Sequence, residues 1–359
     1  MSDQPSGLSP EVLTTIRRGC VIPAVPLALN ANRQFDERRQ RALIRYYIDS
    51  GVGGIAVGMH FTQFEIRDPG IDLFRPVLEV CSDEIDRYGA SVGRRIAKIA
   101  GFSGGTESAL DQARLSRELG YDIGIASMAC FDGAMPQTMV HHVRRLADVM
   151  PMFGFYLLTG VGGIHLPYAF WRELVEIENV IGIKIAPFDR YGTIDVARAL
   201  ADSGRTQQIT LYTGKDDSIV YDLLTPFRFG PPEDAIEVRI RGGLLGQWAC
   251  WTRKAVELHE RLLSLADRGE SITPELLTLS AQITDANAAL FDPQNGFAGS
   301  IPGVNEVLRR QGFLEGNWTL KKDEVLSPGQ NDEIDRVCEA YPHLTDDDFV
   351  SENLQRWLA

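Results

Sequence analysis

This 359-residue sequence predicts an α/β fold: a (β/α)8 barrel with a C-terminal helical extension. Three observations carry the prediction. Short β-branched runs alternate eight times with helical patterns between about residues 20 and 250. The loop after Leu27 has no GxGxxG, the fingerprint expected after the first strand of an open dinucleotide-binding sheet. Beyond Arg253 the patterns are helical only.

In order, a polar arm over residues 1–17 precedes a first strand, Cys20–Leu27, and Asp36 caps a helix to about Ser50. A glycine turn then leads through Gly51–Gly58 into the second strand. Ile96–Gly101 is the third, and Thr106 opens a helix that Gly120 stops. The fourth is Ile123–Ser127, followed by a helix from Pro136 to Val149. Phe153–Leu158 is the fifth, with a glycine-rich turn and a helix from Pro167 to Ile177 after it. Ile181–Ala186, Ile209–Thr213 and Gly243–Trp248 complete the eight, with Phe229–Asp234 read as an inserted loop. The division predicted is an arm at 1–17, a barrel of the TIM type at 18–262, a helical extension at 263–345 and a tail helix at 346–359. In that last helix Leu354, Trp357 and Leu358 share one face, which predicts docking on its own barrel or on a neighbouring subunit.

Within the sixth strand one residue breaks the apolar run. Lys184 sits between Ile183 and Ile185, where burial disfavours the ammonium form and lowers the pKa. A free amine near neutral pH is a nucleophile toward a carbonyl carbon, so Lys184 is the candidate Schiff-base residue. The alternative is a lysine that pairs with a carboxylate or extends its charge to water.

Composition narrows the partners. A net charge of −13 opposes nucleic-acid and anionic-membrane surfaces, and no apolar run is long enough for a spanning helix. Five scattered cysteines without a CxxC pair, and no leader-like start, point to a cytoplasmic protein without a zinc motif.

With Lys184 on strand six, the pattern resembles the dihydrodipicolinate synthase/N-acetylneuraminate lyase family of class I aldolases. Four segments over roughly residues 17–315 carry the resemblance: Gly19–Leu27 with Asp36, Gly51–Ile55 with Gly58, the spacing of Tyr156 and Lys184, and Ile301–Gly312. The resemblance implies a lyase or aldolase, or a hydratase, that forms a Schiff base with pyruvate or another 2-oxo acid. It implies Tyr156 as proton relay, no cofactor and no metal, and a homo-oligomer, dimer or tetramer. The family's GTTGE reads Gly58-Met59-His60-Phe61-Thr62-Gln63-Phe64-Glu65 here, so the paired threonines are missing. Gly58, Met59, His60, Thr62 and, from strand eight, Gly246 are the candidate substrate-binding residues. Val161 replaces the arginine that clamps a second carboxylate, and Phe131 replaces a relaying tyrosine, which argues against dihydrodipicolinate synthesis itself. Lys215 and Asp216, after strand seven, read as solvated loop charges or as substrate contacts.

Two other readings stay open. A family member that kept the lysine but lost turnover would act as a 2-oxo acid binding protein or a structural oligomer. A metal-dependent barrel would use His60, Glu65 or Asp217, although no HxH or HExxH spacing occurs.

Overall fold

Parallel pairing closes the eight predicted strands into a barrel. The computed structural model describes residues 7–359. Its barrel strands are β1 (Val21–Pro23), β2 (Gly54–Val57), β3 (Ala97–Phe102), β4 (Ile123–Ala126), β5 (Met152–Leu157), β6 (Val180–Ala186), β7 (Thr210–Thr213) and β10 (Ile240–Leu245). They pair in the order β1-β10-β7-β6-β5-β4-β3-β2. A parallel bridge between Ala24 and Ala56 closes the ring, with Val25 N–H donating to Ala56 O at 2.9 Å. The first strand is shorter than the predicted Cys20–Leu27 because Pro23 and Pro26 have no N–H to give a ladder.

Helices alternate with the strands: α2 (Glu37–Ser50), α3 (Phe74–Ser91), α4 (Thr106–Glu118), α5 (Pro136–Ala147), α6 (Tyr168–Leu174), α7 (Arg190–Ser203) and α8 (Ile219–Leu224). Their starts follow from local chemistry. Asp36 caps α2 by accepting from Arg39 N–H, and Pro136 opens α5 at a position that needs no donor. Glu84 of α3 locks α3 to α2: its fully buried carboxylate takes hydrogen bonds from Arg41 at 2.9 Å, Arg45 at 2.6 Å and Arg87 at 2.6 Å.

The eighth strand, expected over Gly243–Trp248, runs from Ile240 to Leu245, and two further stretches differ in kind from the sequence expectation. Part of the polar arm is a helix, α1 (Pro10–Arg18), started by Ser9 and Pro10, which buries Val12, Leu13 and Ile16 and accepts from the Tyr212 hydroxyl at 2.8 Å. The inserted loop is the tip of a hairpin between β8 (Phe227–Phe229) and β9 (Ile236–Val238), with Arg228 and Glu237 paired across it at 2.9 Å. Short strands flanking a Gly-Pro-Pro tip give too little alternation to be read as a ladder.

Four helices follow the barrel and pack with it: α9 (Thr252–Arg268), α10 (Pro274–Phe291), α11 (Ser300–Arg310) and α12 (Gln330–Ala340). The last, α13 (Asp347–Leu358), docks on its own chain's α2. Its Trp357 is fully buried, stacks on Phe313 at 5.7 Å and donates its indole N–H to Asp49 at 2.7 Å. Burying a ring of that size stabilises by about 2–3 kcal/mol. Among the described residues no helix is long and apolar enough to cross a membrane.

Candidate active site

The strands end around Lys184. A cavity of about 50 Å³ lies at their C-terminal ends, where barrel loops converge, and Lys184 is one of the residues lining it. Ala24 comes just after β1, Met59, His60 and Phe61 from the loop after β2, Leu157 from the end of β5, and Leu158 and Val161 from the loop that follows it. From the loops after β6, β7 and β10 come Phe188, Asp216 and Gly246. The α10–α11 connection adds Phe297, and the start of α11 adds Ser300, to the same lining.

Lys184 is 7% exposed, and among the described residues its ammonium has no hydrogen bond or ion pair. Its nearest charged influence is Asp216. Burial lowers the Lys184 pKa below the ordinary lysine range, and the Asp216 charge opposes that only in part. The converse holds for Asp216, 3% exposed: burial raises its pKa, against the Gln247 N–H donated to it at 2.8 Å and the Lys184 charge. An amine and a carboxylate thus share one buried space with both charges disfavoured, an arrangement suited to proton exchange near neutral pH.

His60 completes the polar lining with Ser300. Burial, then the Lys184 charge, lowers the imidazole pKa to about 4, so the ring is neutral at neutral pH. Ser300 is a buried residue at the first turn of α11, and it lines the same cavity. Gly246 has no side chain for a packing reason: a Cβ there would collide with the rings of Phe61 and Phe291.

Not every expected residue faces the cavity. Tyr156 does not. β5 pairs with β6 so that Phe155 stands opposite Lys184 and Tyr156 opposite Ile185, after a register shift between Met152 and Phe153. Phe155 therefore turns inward, its ring 4.7 Å from the Lys184 Nζ. Tyr156 turns outward to the helices: its ring packs 5.4 Å from Trp171 of α6, and its hydroxyl meets His165 Nδ1 at 3.3 Å and Leu166 N–H at 3.4 Å. Thr62 is also committed elsewhere, donating to Val25 O at 2.7 Å and accepting from Gly58 N–H at 2.9 Å. That bond takes the Gly58 N–H, and the Gly58 carbonyl accepts from Arg67, so Gly58 braces the loop from behind.

Asp216 is the residue that a reading of loop charges undervalues. Neither it nor Lys215 is solvated. Lys215 points away, toward Asp222 at 3.2 Å, while Asp216 faces the cavity. Glu65 pairs with Lys321 at 2.5 Å, and no group of three His, Cys, Asp or Glu positioned for a metal occurs among the described residues. Phe131 packs on His142 and stays off the cavity.

Comparison with known proteins agrees with this architecture. The model of the dihydrodipicolinate synthetase family matches residues 18–225. A 4-hydroxy-tetrahydrodipicolinate synthase of Desulforudis audaxviator (strain MP104C) is 24% identical over 58% of this chain and 67% of its own length. N-acetylneuraminate lyase 2 of Escherichia coli O6:H1 is 24% identical over 57% of this chain and 63% of its own. The crystal structure of N-acetylneuraminate lyase from Fusobacterium nucleatum complexed with pyruvate superposes with a TM-score of 0.67 at 18% identity, over 90% of this chain and 97% of that one. A barrel closed by eight parallel strands, a lysine buried on the sixth, and a family match over more than half of the sequence lead to one conclusion: the chain belongs to the dihydrodipicolinate synthetase family.

Proposed function

We propose that the chain is a Schiff-base lyase acting on pyruvate or a longer 2-oxo acid, with Lys184 as the nucleophile. The observation that carries this reading is the buried, unpaired Lys184 amine with a lowered pKa, facing a cavity at the barrel mouth. Attack on the C2 ketone and loss of water give an iminium, which accepts the electrons released when a bond at C3 or C4 breaks. Asp216 serves as the acid and base in place of a phenol. It faces the same cavity as Lys184, and its raised pKa lets it hold or release a proton near neutrality. The Ser300 hydroxyl and the neutral His60 ring supply hydrogen bonds to the carboxylate of the 2-oxo acid. The family's lyases and the pyruvate in the Fusobacterium nucleatum relative support a pyruvate half of the substrate. A homo-oligomer is part of the same reading.

Dihydrodipicolinate synthesis fits poorly, because Val161 lines the cavity where a clamp for a second carboxylate would stand. The outward Tyr156 favours one other reading, a 2-oxo acid binding protein without turnover. Pyruvate release from 4-hydroxy-2-oxo acids, followed with EDTA present, tests the proposal: turnover that vanishes in Lys184→Ala supports the lyase. An adduct with pyruvate but no turnover across a broad panel favours the binding protein.

A further inference from the structure

The cavity's walls define what lies beyond the pyruvate half. Its charged side chains are one amine and one carboxylate, Lys184 and Asp216, and its other polar side chains are His60 and Ser300. All of these are already engaged by the reacting 2-oxo acid. The side chains that are left are apolar, among them Leu157, Leu158 and Val161 and the adjoining rings of Phe188 and Phe297. A second carboxylate would meet Asp216 without a cation to pair with, and a chain of hydroxyls would be desolvated without partners.

The two phenylalanines come from different loops, after β6 and after α10, and both are held in left-handed backbone, φ 53° at Phe188 and 68° at Phe297. Bulky residues rarely adopt that conformation, and it persists where the surroundings fix a side chain in place. Here their rings stand edge to face, 5.8 Å between centroids with planes at 70°. Gly160 lies beside the pair, where a Cβ would make ordinary van der Waals contact with the Phe297 ring at 3.4 Å. Both rings are partly exposed and line the cavity, so the acceptor half of a substrate meets them there. A flat aromatic group matches such a pair of rings.

We propose that the acceptor half of the substrate is an aryl aldehyde, so that the molecule cleaved or formed is a 4-aryl-4-hydroxy-2-oxo acid. This rests on the Schiff-base reading of Lys184. In the cleavage direction, Lys184 condenses with C2 and releases water. The C4 hydroxyl gives its proton to Asp216, and the C3–C4 bond breaks. Its electron pair forms the enamine at C3 as the aldehyde departs. Asp216 returns the proton to C3, and water hydrolyses the iminium to pyruvate and free Lys184, so one substrate yields one pyruvate and one aryl aldehyde. No oxidant or reductant takes part.

The test uses the full chain with 4-hydroxy-2-oxo-4-phenylbutanoate beside 2-keto-3-deoxygluconate, a polyhydroxylated 2-oxo acid of comparable length, and a parallel pyruvate-borohydride trap at Lys184. The aryl substrate is expected to show a kcat/KM higher by about tenfold or more, the size of one ring's burial. Phe188→Ala and Phe297→Ala lower that ratio by about tenfold. Phe297→Leu, which keeps apolar bulk and so the fold, lowers it by less. Preference for the polyol in the wild type, or a ratio unmoved in all three variants, overturns the aryl assignment while a positive trap leaves the Schiff-base reading standing. No trap at Lys184 overturns both.

Discussion

Phe155, rather than Tyr156, stands opposite Lys184 across the β5–β6 pairing, with its ring 4.7 Å from the lysine Nζ. A cation beside a ring face is favourable, yet here the dominant effect on Lys184 is burial, which leaves the amine easier to deprotonate. A phenyl ring from β5 thus lies beside the lysine, and Asp216, from the loop after β7, lines the same cavity.

Tyr156→Phe is therefore expected to change pyruvate adduct formation by less than about twofold and to cost about 1 kcal/mol of stability, for two long hydrogen bonds in the helical layer. Rapid-quench trapping and urea melts measure the two. A loss of a hundredfold or more in adduct formation would place the phenol back at the chemistry.

Asp216→Asn keeps an acceptor for the Gln247 N–H and removes the charge. Turnover should fall by roughly 10²–10⁴, the usual contribution of a general acid or base. The carboxylate raises the Lys184 pKa, so its removal moves the pH limb for adduct formation toward lower pH. The limb rises with pH, since the free amine is the reactive form. A limb that moves to higher pH, or turnover that stays intact, assigns the proton transfers to another group.

Gly246→Ala forces a methyl into the rings of Phe61 and Phe291. Overpacking of this kind costs roughly 1–3 kcal/mol, and pyruvate binding should weaken because both rings line the cavity. Chemical denaturation beside a pyruvate titration checks both, and a stable variant with full affinity would mean that the mouth has slack.

Glu84→Gln tests the clamp between α2 and α3. Burial alone would raise the Glu84 pKa, but hydrogen bonds from Arg45, Arg87 and Arg41 hold it below the ordinary value. A lowered folded-state pKa gives stability that is present above the unfolded value of about 4.3 and is lost as pH falls through the folded one. The substitution should cost roughly 3 kcal/mol at neutral pH and flatten the acid side of the stability profile. Thermal melts from pH 3 to 7, on the order of that window, make the comparison.

The barrel was legible because its strands are β-branched runs set off by turn and cap residues, and Lys184 stood out because a charge in such a run is rare. The orientation of Tyr156 was not. The run Phe153-Gly154-Phe155-Tyr156-Leu157 is apolar on both faces, so it carries no alternation to say which side chains point inward, and the register shift after Met152 reverses what spacing alone implies. Asp216 was hidden for a related reason. A loop carboxylate reads as solvated until its burial, the Gln247 N–H that meets it and the cavity it faces are seen. Thr62 resembled a substrate contact in sequence, but the backbone at Val25 and Gly58 takes its hydroxyl. Tertiary contacts of that kind leave no local pattern.

In the proposed chemistry Lys184 forms a covalent imine. Incubating the full chain with pyruvate and sodium borohydride, then mapping the reduced adduct by peptide mass spectrometry beside Lys184→Ala, tests it directly. The expected result is one pyruvate-derived adduct per chain, on the peptide that contains Lys184, and none in the variant. An unmodified Lys184 after pyruvate and several longer 2-oxo acids, or an equal yield from Lys184→Ala, would contradict it.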